Sequence, residues 1–291
     1  MNRSSIFFPY LMCLPLVSVL VFVFAAPLVF SFISAFFSEK GRYIGLENYS
    51  SILSDRWFRA SLSVTATYVI TYTVSVFLVG IGTSLLLWYG ERRYPRFSVP
   101  LKVIITLPYA IPEVVSALVW SLLYDTRFGF LNYFLQIISF GYVKPQMWLQ
   151  NPQLALLSVV FATVWRLFPF HTLVLLGAYR TIPRELLECA TLDGASSLTK
   201  FLRIVVPQIK NILASLLLLT IVWSLNRFTI LWLLTQGGPA RATEVTTVYI
   251  FREAFIFLRR HRATAGGTIL AMIATAIIGF YLFFQYRRAR R

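Results

Sequence analysis

Long apolar runs alternate with short polar segments along almost the whole chain. Three of these runs, residues 6–37, 61–90 and 263–286, contain no Asp, Glu, Lys or Arg. About 20 apolar residues in a helix cross the hydrocarbon core of a bilayer. A helix also satisfies all of its backbone polar groups internally, as lipid requires. The pattern therefore predicts an all-α integral membrane protein.

Three further runs are also long enough to cross a bilayer, and each carries one charged residue in its interior: Glu113, Arg166 or Arg227. They bring the number of predicted transmembrane helices to six. We predict that all six belong to one domain, with spans at 6–37, 61–90, 102–124, 153–179, 211–235 and 263–286.

Composition agrees with this class. Hydrophobic residues make up 58% of the 291 residues and charged residues only 13%, about half the share found in soluble domains. The formal net charge is +16. A basic chain can bind nucleic acid, but membrane proteins also concentrate Lys and Arg in their cytoplasmic loops. We therefore expect membrane lipid, and no nucleic acid, as a partner.

Charge gives only a weak indication of orientation. With a cytoplasmic N-terminus, the inside segments 1–5, 91–102, 180–210 and 287–291 together carry 14 Lys and Arg. The outside segments 38–60, 125–152 and 236–262 carry 11. The basic cluster at 259–262 opposes this orientation, so the charge bias towards a cytoplasmic N-terminus is real but weak.

The segment between the fourth and fifth spans has a different pattern. Residues 185–209 are amphipathic and contain two Glu, one Asp, one Lys and one Arg. Pro183 suits a helix start, and Asp193-Gly194 should break that helix because Gly accepts the left-handed conformation. Ser196 or Ser197 can cap a second short helix. Such a pair could lie on the headgroups, but its small, partly acidic face favours docking of a soluble partner.

The spacing in this segment resembles the cytoplasmic signature of importer permeases of the ATP-binding cassette class. That signature is Glu-Ala-Ala, three residues, Gly, nine residues, then Ile-x-Leu-Pro. The chain has Glu188-Cys189-Ala190, Gly194 and 204–207 (IVVP), with Cys and Val replacing Ala and Leu. Further stretches resemble the carbohydrate-uptake branch, the maltose and glycerol-phosphate type of permease, at 43–53, 107–132, 165–170, 182–196 and 233–255.

The resemblance implies a mechanism and a set of partners. Two homologous permeases, expected to form a heterodimer, pair in a bacterial or archaeal inner membrane with both termini in the cytoplasm. Two copies of a cytoplasmic ATPase bind ATP-Mg, and an external binding protein delivers the solute. This chain would bind no cofactor or metal. Its coupling loop would be residues 181–208, and the implied contacts with the ATPase are Glu185, Glu188, Cys189, Ala190, Asp193 and Gly194.

The resemblance also implies a substrate pathway near the middle of the membrane. Its predicted lining residues are Thr163, Arg166, Leu167, Phe170, Ser224 and Arg227. An Arg at the centre of a span is expensive, at least about 2.5–3.5 kcal/mol, so both arginines should face protein or water. Two arginines in one cavity suggest an anionic solute, such as a uronate oligosaccharide or a sugar phosphate. Alternatively, they pair with acids of the partner permease or snorkel towards an interface.

Two further residues near this pathway are not predicted to bind the solute. We expect His171 to be a hydrogen-bonded polar residue of the core. We expect Glu113, which follows Pro112, to face the bundle interior at a break in the third span, with no assigned role.

Two other classes of protein compete with this interpretation. A polytopic transferase needs a cluster of carboxylates or metal ligands, but the chain has 11 scattered acids and two distant His. An ion-coupled transporter typically has internal repeats and buried acids, and Glu113 is the only acid inside a predicted span. The chain also lacks the phosphate-binding loop of ATPases, so ATP hydrolysis must come from a partner and this chain is not itself an enzyme.

Overall fold

The computed structural model describes residues 4–289, and regular secondary structure in that range is helical. The helices are α1 Ser4–Val19, α2 Ala26–Ser34, α3 Glu47–Ser54, α4 Arg56–Arg93, α5 Pro95–Ala110, α6 Glu113–Leu123, α7 Phe130–Ile138, α8 Pro152–Arg180, α9 Arg184–Leu192, α10 Ser197–Lys200, α11 Val206–Gln208, α12 Lys210–Leu225, α13 Thr229–Thr235, α14 Thr246–Phe251 and α15 Arg260–Ala289. Wider π-helical turns occupy Leu20–Ala25, Phe201–Val205 and Arg252–Ile256.

Four helical stretches in the described part of the chain are long and apolar enough to cross a membrane. They are Leu11–Ser34, Arg56–Glu91, Pro152–Arg180 and Arg260–Gln285. Two bent pairs raise the number to six if each pair is one span. These pairs are Ser98–Ala110 with Glu113–Leu123, bent by 95°, and Ser197–Gln208 with Lys210–Leu225, bent by 75°. The all-helical membrane class is therefore confirmed, with between four and six spans.

The predicted third and fifth spans are each interrupted. The third bends at Ile111-Pro112, because Pro112 cannot donate a helical backbone hydrogen bond. The fifth stops at Leu225 and restarts at Thr229 as α13. The first break follows from the proline, whereas the second contains neither Pro nor Gly and was not expected from the sequence.

The backbone divides into two compact units. One contains residues up to Ala60 together with Tyr249–Thr275. Within this unit, Asp55 accepts hydrogen bonds from the Trp57 backbone N–H at 2.7 Å and the Tyr249 hydroxyl at 3.0 Å, and it pairs with Arg262. Burial raises the pKa of Asp55, but the hydrogen bonds and the Arg262 charge outweigh burial and hold this pKa below its usual value.

The other unit, Ser61–Val248 with the end of α15, is organised around α8. Helices α5, α6, α12 and α13 all pack against α8. His171 lies in this core with 1% of its surface exposed. Its ring nitrogens lie 3.1 Å from the Leu167 carbonyl oxygen and 2.8 Å from the Thr220 hydroxyl. This arrangement agrees with a hydrogen-bonded core residue.

Candidate functional site

The two interrupted spans meet beside the middle of α8. Helix α6 begins at Glu113, directly after the first break, and α13 begins just beyond Arg227, which lies in the second. The two helices pack against each other and against α8. Irregular backbone within a membrane is tolerated where it is buried in protein or lines a cavity, and discontinuous helices commonly form transporter binding sites.

A cavity of about 560 Å³ opens at this meeting point. Its volume lies within the range of roughly 300–1,000 Å³ typical of small-molecule sites. Aromatic, charged and amide side chains converge on it. The lining residues are Tyr109, Glu113, Arg166, Leu167, Trp223, Asn226, Arg227, Phe228 and Thr229.

Three charged side chains form a cluster in the cavity wall. Oε2 of Glu113 lies 3.5 Å from Nη1 of Arg227 and 3.9 Å from Nη1 of Arg166. Between 13% and 22% of each side chain is exposed. The arginines therefore find their acid in the same chain, so neither snorkelling nor an acid of a partner is needed to explain them.

Local contacts hold both arginines in place. Nε of Arg166 donates to the Ile111 carbonyl at 3.2 Å, a carbonyl freed by the break between α5 and α6. The Arg227 carbonyl accepts a 2.6 Å hydrogen bond from the Thr247 hydroxyl. The Arg227 backbone N–H donates to the Ser224 carbonyl at 3.2 Å. The guanidinium groups are thus positioned by backbone that would be helical in an unbroken span.

The six residues predicted for the substrate pathway fall into two groups. Arg166, Leu167 and Arg227 line the cavity. The remaining three, Thr163, Phe170 and Ser224, lie behind it. Thr163 is buried and donates to the Val159 carbonyl at 2.8 Å, and Ser224 is buried and donates to the Ile221 carbonyl at 2.8 Å.

Phe170 supports the aromatic part of the wall. Its ring is stacked 6.0 Å from that of Tyr109 and lies 5.3 Å from that of Trp223. Tyr109 and Trp223 expose about two fifths of their surfaces, and they offer flat apolar faces to the cavity.

Sequence reasoning missed six of the lining residues: Tyr109, Glu113, Trp223, Asn226, Phe228 and Thr229. The sequence did contain a signal for Glu113. An acid that directly follows a span-breaking proline lies at the start of a new helix, where the broken backbone can border a cavity. Asn226 and Thr229 could be found only by recognising the break in the fifth span.

The segment after α8 forms the expected pair of short helices. Helix α9 ends at Leu192, and Gly194 follows with φ +76°, a left-handed conformation that suits glycine. Ser196 caps α10 by accepting a hydrogen bond from the Thr199 backbone N–H at 3.2 Å. Lys200 links the two helices by donating to the Thr191 hydroxyl at 3.0 Å. The predicted break and second cap are confirmed.

Most side chains of this helix pair are exposed. The exposed residues include five of the six predicted for ATPase contact: Glu185, Glu188, Cys189, Asp193 and Gly194. Ala190 is half-buried. Leu192 and Leu198 expose 88% and 66% of their surfaces at the turn between the helices, so the surface combines acidic and apolar groups.

The opposite face of the helix pair is fixed to the bundle. Leu187 of α9 and Val205, which ends the π-helical turn after α10, join one buried apolar cluster with Leu175 and Tyr179 of α8 and Leu216 of α12. Displacing the helix pair would therefore also strain α8 and α12, because a packed core deforms little.

Comparison with known proteins identifies the family. Residues 79–291 match the family described as "binding-protein-dependent transport system inner membrane component". The chain belongs to this family. It is the membrane-embedded permease subunit of an ATP-binding cassette importer, a translocation component rather than an enzyme. Neither the polytopic transferase nor the ion-coupled transporter is favoured.

Curated relatives extend the match over most of the chain. The trehalose/maltose transport system permease protein MalF of Thermococcus litoralis is 36% identical, over 83% of this chain and 81% of that protein. The sn-glycerol-3-phosphate transport system permease protein UgpA of Escherichia coli O157:H7 is 30% identical, over 92% of this chain and 90% of its own length.

A solved structure has the same fold. It is the crystal structure of a bacterial alginate importer of the ATP-binding cassette class in complex with an alginate pentasaccharide-bound periplasmic protein. One of its chains superposes with a TM-score of 0.86, covering 98% of this chain and 96% of its own, at 23% identity.

Proposed function

We propose that this permease imports a carbohydrate that carries an acidic group, and that the solute crosses through the cavity beside α8. The observation that carries the proposal is the composition of the cavity wall. Two arginines and one glutamate leave a net positive charge between exposed aromatic rings.

The carbohydrate part of the proposal has two supports. The Thermococcus litoralis relative is named as a permease for the disaccharides trehalose and maltose. Tyr109, Trp223 and Phe228 also present aromatic rings to the cavity, and the apolar face of a sugar ring can stack on such surfaces while Asn226 reaches a hydroxyl.

The acidic part rests on Arg166 and Arg227. A guanidinium has five N–H donors and no acceptor. Glu113 and the Ile111 carbonyl satisfy only part of the two donor sets, and both arginines line the cavity. A carboxylate or phosphate on the solute would supply the missing acceptors.

We further propose six spans with both termini in the cytoplasm of an inner-membrane protein. In this arrangement each interrupted segment, 102–124 and 211–235, crosses once. The loop 181–208 then lies inside, and 125–152 and 236–262 lie outside.

The helix pair α9 and α10 is the proposed coupling element for the ATPase. Its exposed acidic and apolar groups suit a cleft in a soluble protein, and its buried cluster joins it to α8 and α12. ATP-Mg would bind to the ATPase subunits, of which we propose two copies. Their closure would move the helix pair as a rigid body.

A second permease and an external binding protein would complete the assembly. Trp223 and Asn226 line the cavity and are exposed, so a homologous permease in a heterodimer could cover them and close the cavity.

The test is a solute panel applied to the purified transporter. Acidic oligosaccharides, their carboxyl-reduced counterparts and neutral oligosaccharides of equal length are compared by stimulation of ATP hydrolysis and by uptake into proteoliposomes. We expect the acidic members to be preferred. Stimulation by neutral members alone would contradict the acidic solute, and no stimulation by any carbohydrate would contradict the proposed function.

A further inference from the structure

Glu113 lies between two arginines but is bound tightly by neither. Charge-assisted N–H···O hydrogen bonds are typically about 2.7–2.9 Å long, whereas Oε2 of Glu113 is 3.5 Å from Arg227 and 3.9 Å from Arg166. A single carboxylate oxygen makes both contacts. The carboxylate is thus held mainly by charge attraction, without the fork-to-fork geometry of a structural arginine–carboxylate pair.

The arginines and the glutamate of this cluster differ in how their positions are fixed. Arg166 is held by its bond to Ile111, and Arg227 is held through its backbone. Glu113 is the first residue of α6, immediately after the 95° bend, and 22% of its side chain is exposed to the cavity. A carboxylate there keeps the stabilisation of the helix N-terminus even when it leaves the arginines.

A cavity lined by two arginines requires a nearby acid when it holds no solute. Two arginines without a counter-ion in a partly buried site would raise the free energy of the solute-free protein, because their desolvation would not be compensated. A cavity with two unopposed positive charges would also retain an anion strongly, yet a transporter must release its solute. A weakly held internal carboxylate addresses both needs, because it offsets one of the two positive charges of the empty site and competes for the arginines when the solute leaves.

We propose that Glu113 is a displaceable counter-ion that sets the affinity of this cavity for anionic sugars. In the solute-free state its carboxylate pairs with Arg166 and Arg227. A carboxylate or phosphate of the solute replaces it, and Glu113 turns towards the cavity water at the start of α6. The inference rests on the proposed function, since it requires that the solute carry an acidic group.

Glu113→Gln tests the proposal, because glutamine keeps the shape but removes the competing charge. The probes are a uronic-acid pentasaccharide and its carboxyl-reduced counterpart, measured by equilibrium binding to the complete purified transporter and by uptake. We expect Glu113→Gln to bind the acidic probe about tenfold more tightly, equivalent to roughly 1.4 kcal/mol, and to lower its maximal uptake rate. Binding of the neutral probe should be unchanged.

Glu113→Asp provides a second measurement should the glutamine variant fold poorly. Aspartate keeps the charge but retracts it by one methylene, so we expect tightening smaller than that of Glu113→Gln. In the double variant Glu113→Gln/Arg227→Gln, the tightening should be lost, because the arginine that gains from the removal is gone.

The outcomes separate this inference from the proposed function. Binding of the acidic probe that weakens in Arg227→Gln but does not change in either Glu113 variant would overturn the counter-ion role and leave the acidic solute standing. Weaker binding in Glu113→Gln would show that the acid supports the site instead of competing for it. Binding of only the carboxyl-reduced probe would contradict both proposals.

Discussion

The cavity and the helix pair α9–α10 both contain charged residues in an apolar chain. These residues are mostly buried and paired in the cavity, whereas they are exposed and unpaired in the helix pair. In the cavity, Glu113 and two arginines are mostly buried and lie within ion-pair distance of one another. In the helix pair, Glu185, Glu188 and Asp193 are exposed and form no ion pair within residues 4–289. Charge that is paired within the chain suits a site for a small solute, whereas unpaired charge on a rigid support suits a protein partner.

Reversing one charge on the helix pair should have the largest effect on transport itself. Glu188→Lys places a positive charge on the surface proposed to enter the ATPase, and we expect uptake to fall about tenfold or more, as for a loss of at least roughly 1.4 kcal/mol of contact. Thermal unfolding of the permease should change little because the side chain is exposed. Uptake and solute-stimulated ATP hydrolysis measure the effect.

A matched control is Arg287→Gln, a change of an exposed residue near the end of α15. It should leave uptake intact. Full transport by Glu188→Lys would contradict the contrast between the two regions.

Removing a cavity arginine should change solute affinity without uncoupling the ATPase. Arg227→Gln removes hydrogen bonds to an acidic group that are each worth about 1.5–3 kcal/mol, so binding of an acidic oligosaccharide should weaken by about ten- to a hundredfold. Arg166→Gln should have a smaller effect, because Nε of Arg166 already binds Ile111. Equilibrium binding of acidic and carboxyl-reduced oligosaccharides distinguishes the variants, and equal weakening for both probes would argue against charge recognition.

The core between the two regions can be tested with a glycine pair on α4. A Cβ at Gly80 would lie 2.8 Å from Cβ of His171, whereas one at Gly82 would meet nothing within 4 Å. We expect Gly80→Ala to destabilise the protein by about 1–3 kcal/mol through overpacking and Gly82→Ala to be neutral or slightly stabilising. Thermal unfolding in detergent measures both, and equal stability would contradict the close approach of α4 and α8.

The smallest effect should come from Asp55, which belongs to neither region. Asp55→Asn should lower stability at pH 7 by about 1 kcal/mol, as expected for a partly exposed ion pair. Because the pKa of Asp55 is lowered by folding, its contribution is full above the ordinary value of 3.8 and declines as the pH falls towards the lowered pKa. The free energies of unfolding of the unchanged protein and of Asp55→Asn should therefore approach each other as the pH is lowered from 7 to 3. A difference that stays constant over this range would exclude the ionised pair.

Much of the fold could be predicted because apolar run length determines what can enter a bilayer. The predicted spans at 61–90 and 153–179 lie within α4 and α8, each of which extends further at both ends. The bend at Pro112 also follows from local chemistry. The gap between α12 and α13 does not, since Asn226, Arg227 and Phe228 carry no strong helix-breaking signal and are held by tertiary contacts such as the bond from Thr247.

The sequence predicted a charged cavity within the membrane, but it did not predict most of the residues that line this cavity. The cost of placing charge in a membrane directed attention to Arg166 and Arg227, and both line the cavity. Thr163 and Ser224 were chosen by resemblance, but their hydroxyls are turned into helix backbone. The pairing with Glu113 joins residues more than 50 positions apart, so it could not be derived from spacing along one helix.

Crosslinking from the native Cys189 tests the proposed coupling contact most directly. Cys189 is exposed on α9, and replacing Cys13 with Ser leaves it as the one cysteine of the chain. A maleimide–diazirine crosslinker attached to Cys189 in the assembled transporter should yield a permease–ATPase product that Cys189→Ser abolishes. Labelling that reaches only lipid or other permease segments would contradict the role of α9 and α10 as the element moved by the ATPase.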